Sequence, residues 1–389
     1  MNRKRILILR PDHLGDVVLF SSALRHIRNL YPSSRITLCV SQGLTNFAEL
    51  APYIDEIISW QKLAQAMMSP PSVDSKLRYP ILWRLKGALQ KWEWWRLKRK
   101  YRAHILLLPV RSPRGAVSRV VAAIPAPIKV GIVGDTSNQS GADGKMLTQA
   151  LTQYLDVHNE PNTRHEIDVT RDFLRLIGAN VSSAELWPEM WTDENDKDWA
   201  TTHVPVVKNP SELILGLAPG VNLPQGKQVS EEWYAAVLNG MSEMHFRIVI
   251  FGTADDRDIC HKTLLTLKQC SNVHEVIDYS GKTTIRQMIE GVRKCDLLLL
   301  PDAAVLHIAV ALHKPCVGIL GGGHYGRFYP WGDPNLNRVV VFPMPCFHCN
   351  WKCIYPEMRC ILNIAPADAA KELTVLAKFV LGDRLRSAL

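Results

Sequence analysis

Long apolar runs are missing from this chain of 389 residues. None approaches the roughly 18 consecutive apolar residues that a membrane-spanning helix needs. The basic start Met1-Asn2-Arg3-Lys4-Arg5 is followed only by Ile6 to Leu9, too short for the core of a secretory leader and alternating isoleucine with leucine like a first strand. The expected setting is therefore cytoplasmic. A Walker loop and a complete dinucleotide-binding glycine fingerprint are also lacking, as is any short internal repeat. No base-reading motif accompanies the positive charge, which sets nucleic acid aside as a partner. A cytoplasmic chain further argues against reading the nine cysteines as a disulfide framework.

What is present suits a globular protein with two full cores: 47% hydrophobic and 21% charged residues over a length ample for two domains. The net charge of +9 is uneven. Between Arg84 and Arg102 stand eight basic residues (Arg84, Lys86, Lys91, Arg96, Lys98, Arg99, Lys100, Arg102) against the single acid Glu93, interleaved with Trp83, Trp92, Trp94, Trp95 and Tyr101. Aromatic rings among cations suit the headgroup layer of an anionic membrane. The alternative is a solvated helix whose tryptophans pack on their own domain.

Strands and helices alternate in both halves, which predicts an α/β chain built on parallel sheets. In the first half strands are expected at Arg5–Arg10, Arg35–Val40, Glu56–Trp60, His104–Pro109 and Ile128–Ile132. Helices are expected at Asp16–Leu30, within Leu82–Arg102, at Ala116–Ala123, and at Glu166–Ile177 closed by Gly178. Gly134–Gly144 reads as a polar loop, and Met68–Asp74 as a breaker cluster. Polar residues from Thr192 to Pro210 mark the boundary, giving domains 1–200 and 201–389. In the second half strands are expected at Leu213–Leu217, Arg247–Phe251, Glu275–Ile277, Asp296–Pro301, Pro315–Leu320 and Arg338–Phe342. Its helices are expected at Ser230–Glu243, Asp255–Leu267, Thr283–Lys294, Ala303–Leu312 and Ala367–Leu381.

Open α/β sheets bind ligands at the carboxyl ends of their strands. The first strand runs into Asp12-His13-Leu14-Gly15-Asp16, where a tight turn at Leu14-Gly15 leads to a helix opening at Asp16. A carboxylate there can serve as a general base or bind a hydroxyl, or simply cap the helix. In the second half three strand ends can offer backbone N–H groups at a helix start, where the dipole favours phosphate. These are Ala218-Pro219-Gly220 with Lys227 beyond it, Gly252-Thr253, and Asp302-Ala303-Ala304-Val305. A diphosphate is the natural occupant. His307, one turn into the last helix, is either a ligand-binding group or a core histidine beside Ile308 and Leu312. Cys346, Cys349, Cys353 and Cys360 have spacings that can form a four-thiolate structural site for zinc or iron, with His348 as a substitute ligand. The alternative is a set of reduced thiols in a surface loop. The other five cysteines, Cys39, Cys260, Cys270, Cys295 and Cys316, read mostly as buried and inert.

From about Ile6 to Leu362 the chain resembles the bacterial ADP-heptose:lipopolysaccharide heptosyltransferases of glycosyltransferase family 9. The resemblance is carried by Asp12-His13-Leu14-Gly15-Asp16-Val17, by Tyr31-Pro32-Ser33-Ser34-Arg35-Ile36, and by Pro219-Gly220 with Lys227 and Trp233. The fourth match, Asp302-Ala303-Ala304-Val305-Leu306-His307, is followed by Ala309 and Ala311. The family writes Asp-Thr-Gly-x-x-His at that last place, so a hydroxyl and a glycine are replaced by Ala303 and Ala304. After Gly252-Thr253, Asp255 or Asp256 stands where the family has Glu. The Cys-rich insert 346–360 is similar to one in autotransporter heptosyltransferases that modify proteins and bind iron.

The resemblance implies a GT-B fold: two Rossmann-like domains with parallel sheets facing an interdomain cleft, the second holding the nucleotide-sugar donor. It implies inverting transfer without a catalytic metal or other cofactor. Asp16 would act as base, with Asp12 and His13 toward the acceptor. Gly220, Lys227, Gly252, Thr253, Asp302, Ala304, Val305 and His307 would lie toward the donor, so the resemblance favours a ligand-binding His307. The donor implied is ADP-heptose. The acceptor is a lipopolysaccharide core or other surface glycan, reached from the inner face of the membrane. Alternatives are a protein hydroxyl as acceptor, or a GT-B scaffold without catalysis.

Overall fold

The computed structural model describes residues 3–68, 99–221 and 227–387. The chain divides into two compact units. The first holds Met1–Glu160 and Ile167–Trp187, the second Pro161–Glu166 and Pro188–Leu389.

The first unit is built on β1 (Arg5–Arg10), β2 (Arg35–Val40), β3 (Glu56–Ser59), β4 (Ile105–Leu108), β5 (Ile128–Val133) and β6 (Gln153–Asp156). They form one sheet in the order β3-β2-β1-β4-β5-β6, every pairing parallel. The second unit is built on β7 (Glu212–Leu217), β8 (His245–Ile250), β9 (Val273–Asp278), β10 (Leu297–Pro301), β11 (Cys316–Leu320) and β12 (Asn337–Val341). Its order is β12-β11-β10-β7-β8-β9, again all parallel. Counted from its own first strand, each sheet runs 3-2-1-4-5-6, the doubly wound order. The central strands are buried on both faces, as in β7, β10 and β11, where every residue is buried.

This order creates a switch point in each sheet. After β1 the chain turns toward β2, after β4 toward β5, and a crevice opens between β1 and β4. The same holds between β7 and β10. The topology alone therefore brings the loop after Arg10 beside the loop after Leu108, and Gly220 beside Asp302.

Several elements differ from expectation. The helix expected over Asp16–Leu30 is two, Leu14–Phe20 and Ala23–Leu30. They are interrupted where the buried Ser21 hydroxyl donates to the Val18 carbonyl at 2.7 Å. The segment read as polar loop is loop only to Ser140, which caps a helix at Gly141–Ala150. The polar stretch taken as boundary holds the helix Glu194–His203, closed at its start by a reciprocal Asp193/Asp196 capping box. Arg286 pairs with both acids at 3.2 and 3.1 Å, which fastens that helix to the second unit. The expected basic helix within Leu82–Arg102 lies outside the described residues over 82–98. Among the described residues no helix is long and apolar enough to cross a membrane.

Candidate active site

In the first unit the loop after β1 is organised by Arg10, itself only 5% exposed. Its guanidinium pairs with Asp12 at 3.0 Å, donates to the Asp16 carbonyl at 2.9 Å and to the Pro109 carbonyl, and lies 4.9 Å from the centre of the Phe20 ring. The Ser41 hydroxyl donates to the Pro11 carbonyl from the neighbouring loop at 2.9 Å.

Asp16 does not open the helix or cap it. The cap position is His13, with extended backbone and no side-chain cap, and Leu14 and Gly15 are already helical. Asp16 is thus the third helical residue, in the first turn where the dipole favours a carboxylate. Its side chain is half-buried. His13 is exposed, and its Nε2 lies 3.0 Å from Nη2 of Arg114. Arginine only donates, so that imidazole nitrogen accepts. Arg114 comes from the loop after β4, across the switch point. The sequence reading missed both Arg10 and Arg114. A basic residue ending one strand and another in the loop after its neighbour were the available signal.

In the second unit the loop after β7 is drawn tight around Asp256. A Cβ on Gly220 would lie 2.1 Å from the Asp256 carboxyl group, and one on Gly252 would lie 3.1 Å from the Asp256 Cβ. Only glycine fits at 220 without displacing that acid. Asp256 accepts from the Thr253 amide and hydroxyl, each at 2.7 Å. The Thr253 hydroxyl thus spends its proton on Asp256, and of the two candidate acids it is Asp256 that shapes this turn.

Lys227 and Asp302 meet beside this turn. The ammonium is 4.0 Å from the Asp302 carboxylate, with side chains only 12% and 17% exposed. Burial pulls the lysine below its ordinary pKa, and Asp302 opposes that shift. The helix Ala304–Ala311 starts directly after, with Ala303 as a cap residue that offers no side-chain bond. The first-turn amides of Ala304 and Val305 therefore receive no capping side chain and carry the positive end of the dipole. Neither alanine has a positive φ, so losing the family's glycine costs the backbone nothing here.

His307 is 4% exposed. Its Nδ1 accepts from the Trp331 indole at 3.0 Å, and the two rings stack. Indole only donates, so the imidazole proton sits on Nε2. Burial, reinforced by nearby His165, pushes the pKa down to about 3, keeping the ring neutral. His307 is thus buried as the core reading expects, with its Nδ1 taken up by Trp331 and its proton on Nε2. Trp233 is structural: its indole donates to the Ile364 carbonyl at 2.8 Å.

The cysteine segment does not form a metal centre as placed here. All four thiols are unpaired. Among the described residues no three histidine, cysteine or acidic side chains are arranged to hold an ion. Cys360 accepts from the Gly322 amide at 3.5 Å, Cys353 contacts the Glu357 carbonyl at 3.8 Å, and His348 Nδ1 donates to the Tyr325 carbonyl at 3.1 Å. Burial raises the Cys360 thiol, the Gly322 amide opposes that, and Cys346, Cys349 and Cys353 lie close enough to raise it further.

The sequence profile of glycosyltransferase family 9 (heptosyltransferase) matches residues 116–354. A lipooligosaccharide heptosyltransferase 2 of Campylobacter jejuni is 26% identical over 44% of this chain and 54% of its own length, so the chain spans about half of that relative. Lipopolysaccharide heptosyltransferase 2 of Escherichia coli is 22% identical over 96% of this chain and 98% of its own. Among solved structures, the E. coli ADP-heptose lps heptosyltransferase II superposes with a TM-score of 0.63 at 19% identity, covering 96% of this chain and 98% of that one. The two six-stranded parallel sheets thus match the GT-B architecture.

Proposed function

Since this chain belongs to glycosyltransferase family 9, the heptosyltransferase family, we propose that it moves heptose from ADP-heptose onto a hydroxyl of a lipopolysaccharide-core sugar, inverting the anomeric centre. One observation supports the reading: at the carboxyl edge of the second sheet a largely buried lysine lies 4.0 Å from Asp302, directly ahead of a helix start with no capping side chain, the kind of place a diphosphate occupies.

The chemistry follows from these groups. Asp16 accepts the proton of the acceptor hydroxyl as its oxygen bonds to the anomeric carbon. The bond from that carbon to the diphosphate breaks, and ADP leaves with the electron pair. Lys227 and the amides of Ala304 and Val305 stabilise the charge gathering on the departing oxygens. His307 Nε2–H supplies a neutral donor, and Asp302 orients Lys227 or binds sugar hydroxyls. Asp12 and His13 flank the acceptor. No step calls on a metal or an organic cofactor.

A protein hydroxyl as acceptor is the second reading, favoured by the Cys-rich insert 346–360. A scaffold without catalysis is the least supported, because Ala303 and Ala304 leave the helix start intact. For the insert we infer that zinc or iron is held by Cys346, Cys349, Cys353 and Cys360; soft thiolates suit either ion. Elemental analysis should then find about one ion per chain; a stable, metal-free protein would remove this role. The basic, tryptophan-rich stretch 83–102 is read as a peripheral contact with anionic lipid at the inner membrane face.

The test of the main reading is direct. Calorimetry should detect ADP binding at concentrations where UDP is silent, and mass spectrometry should find heptose added to a core acceptor. Absence of binding to any nucleotide would refute it.

A further inference from the structure

The cysteine segment does more than cover a surface, because one of its side chains reaches the lysine. Between Cys349 and Cys353 lies Trp351, and the Lys227 ammonium sits 3.6 Å from the centre of its ring. That is well inside cation–π range, in a place where the lysine side chain is only 12% exposed. The ring is fixed from several sides. Its indole N–H donates to His324 Nδ1 at 3.0 Å, so the His324 proton lies on Nε2, which donates to Asn350. A Cβ on Gly323 would come within 2.3 Å of the indole, and one on Gly321 within 3.0 Å. The glycine run Gly321-Gly322-Gly323 is thus a bed cut to the shape of this ring and of Phe347, which a Cβ on Gly322 would meet at 2.2 Å.

The backbone of the segment is pinned to the same bed. The His348 amide donates to the Gly322 carbonyl at 2.7 Å, and the Asn350 amide to the Gly323 carbonyl at 3.1 Å. His348, Asn350 and Trp351 all have positive φ (69, 52 and 59°), a conformation that Asn and His adopt readily but that is uncommon for a bulky aromatic such as Trp351. Three residues in the left-handed region, two backbone bonds and an indole bond all serve to place one ring against one ammonium.

We propose that Trp351 is a positioning residue for Lys227: its ring face holds the ammonium in its charged form, aimed at the donor diphosphate, and the cysteine segment is the device that seats it. The inference rests on the reading of Lys227 as a diphosphate ligand. Asp302 alone, at 4.0 Å, constrains the ammonium from one side; the ring adds the second. Burial pulls Lys227 toward the neutral amine and Asp302 opposes that pull; a ring face 3.6 Å away also favours the cation over the amine.

The experiment compares ADP with adenosine, which lacks the diphosphate, in the full-length protein. Trp351→Phe keeps a ring face and should hold ADP affinity within about threefold. Trp351→Leu keeps an apolar side chain without one and should weaken ADP about ten- to thirtyfold while moving adenosine far less. In a Lys227→Met background Trp351→Leu should cause no further loss. Equal losses for ADP and adenosine, or an undiminished loss without Lys227, would overturn the proposal. A second readout needs no nucleotide. Reductively ¹³C-methylated Lys227 should show a ring-current-shifted signal that Trp351→Leu abolishes. Its presence in a chain that takes no ADP would uphold the Trp351–Lys227 arrangement and defeat only the reading of the site, while its absence from the wild type would refute the arrangement.

Discussion

Arg10 donates through Nη2 to the main-chain oxygen of Asp16 at 2.9 Å, so a buried guanidinium from the end of a strand sets the start of the helix that carries this carboxylate. The same group pairs with Asp12 at 3.0 Å and reaches the carbonyl of Pro109. One planar cation therefore ties two main-chain carbonyls and a carboxylate together at the switch point. Arg10→Met should lower unfolding free energy by about 3 kcal/mol, because it leaves Asp12 without its buried partner. Arg10→Lys should restore little, since a single ammonium cannot span all three acceptors. Urea unfolding followed by circular dichroism measures both; a loss below about 0.5 kcal/mol for Arg10→Met would show that the loop is held by other contacts.

Asp16→Asn preserves shape and removes the proton acceptor. Transfer should fall by about two to four orders of magnitude. ADP affinity should stay within about twofold, since the residues assigned to the diphosphate lie in the second unit. Single-turnover kinetics beside calorimetry separates the two quantities. Undiminished turnover would exclude Asp16 as the base.

Much of this was legible in the sequence because parallel sheets write their central strands as short, continuous apolar runs. Arg35–Val40 is found at its expected bounds, and Leu297–Pro301 and Cys316–Leu320 within one residue of theirs. The edge strand Gln153–Asp156, with three of its four residues exposed, carries no such signal and went unread. The helix Gly141–Ala150 buries only Leu147, and Glu194–His203 only Asp196 and Ala200, so neither shows an apolar stripe. Their caps, Ser140 and the Asp193/Asp196 pair, were the available clues. At the site, Lys227, Asp302 and His307 could be named from strand ends and resemblance. Trp331, Trp351, Arg10 and Arg114 could not. A partner lies 24 residues off in the case of Trp331, 101 for Arg114, and 99 for the Pro109 contact of Arg10, and only the fold brings these together.

Membrane attachment has its own prediction. The stretch 84–102 sets eight basic residues against one acid, and each cation near an anionic surface adds about 1 kcal/mol at low salt. Changing Lys98, Arg99 and Lys100 together to Ser should weaken binding to phosphatidylglycerol vesicles by about two orders of magnitude, with the effect shrinking as salt rises. Co-sedimentation measures this. Equal binding by the triple variant would return the stretch to a solvated face.

Burial of His307 couples the site to acid stability, with a definite sign. The folded-state pKa, pushed down to about 3, lies below the ordinary value of 6.5. Between those limits the unfolded chain binds a proton that the folded chain refuses, so stability rises with pH and is lost as pH falls below about 6.5. From pH 7.5 to 5 this one imidazole should remove about 2 kcal/mol of unfolding free energy. His324, lowered to about 4 by burial, acts in the same direction. Glu212, held near 2 by Arg247 and His274 against the cost of burial, contributes its own loss only below about pH 4.5, outside the window. His307→Gln, which keeps a neutral amide donor, should therefore flatten the slope between pH 7.5 and 5 by about 2 kcal/mol while the His324 share persists. Urea titrations at several pH values decide it. A His307→Gln curve parallel to wild type would mean that the imidazole takes up its proton in the folded protein, and would undo its assignment as a fixed neutral donor.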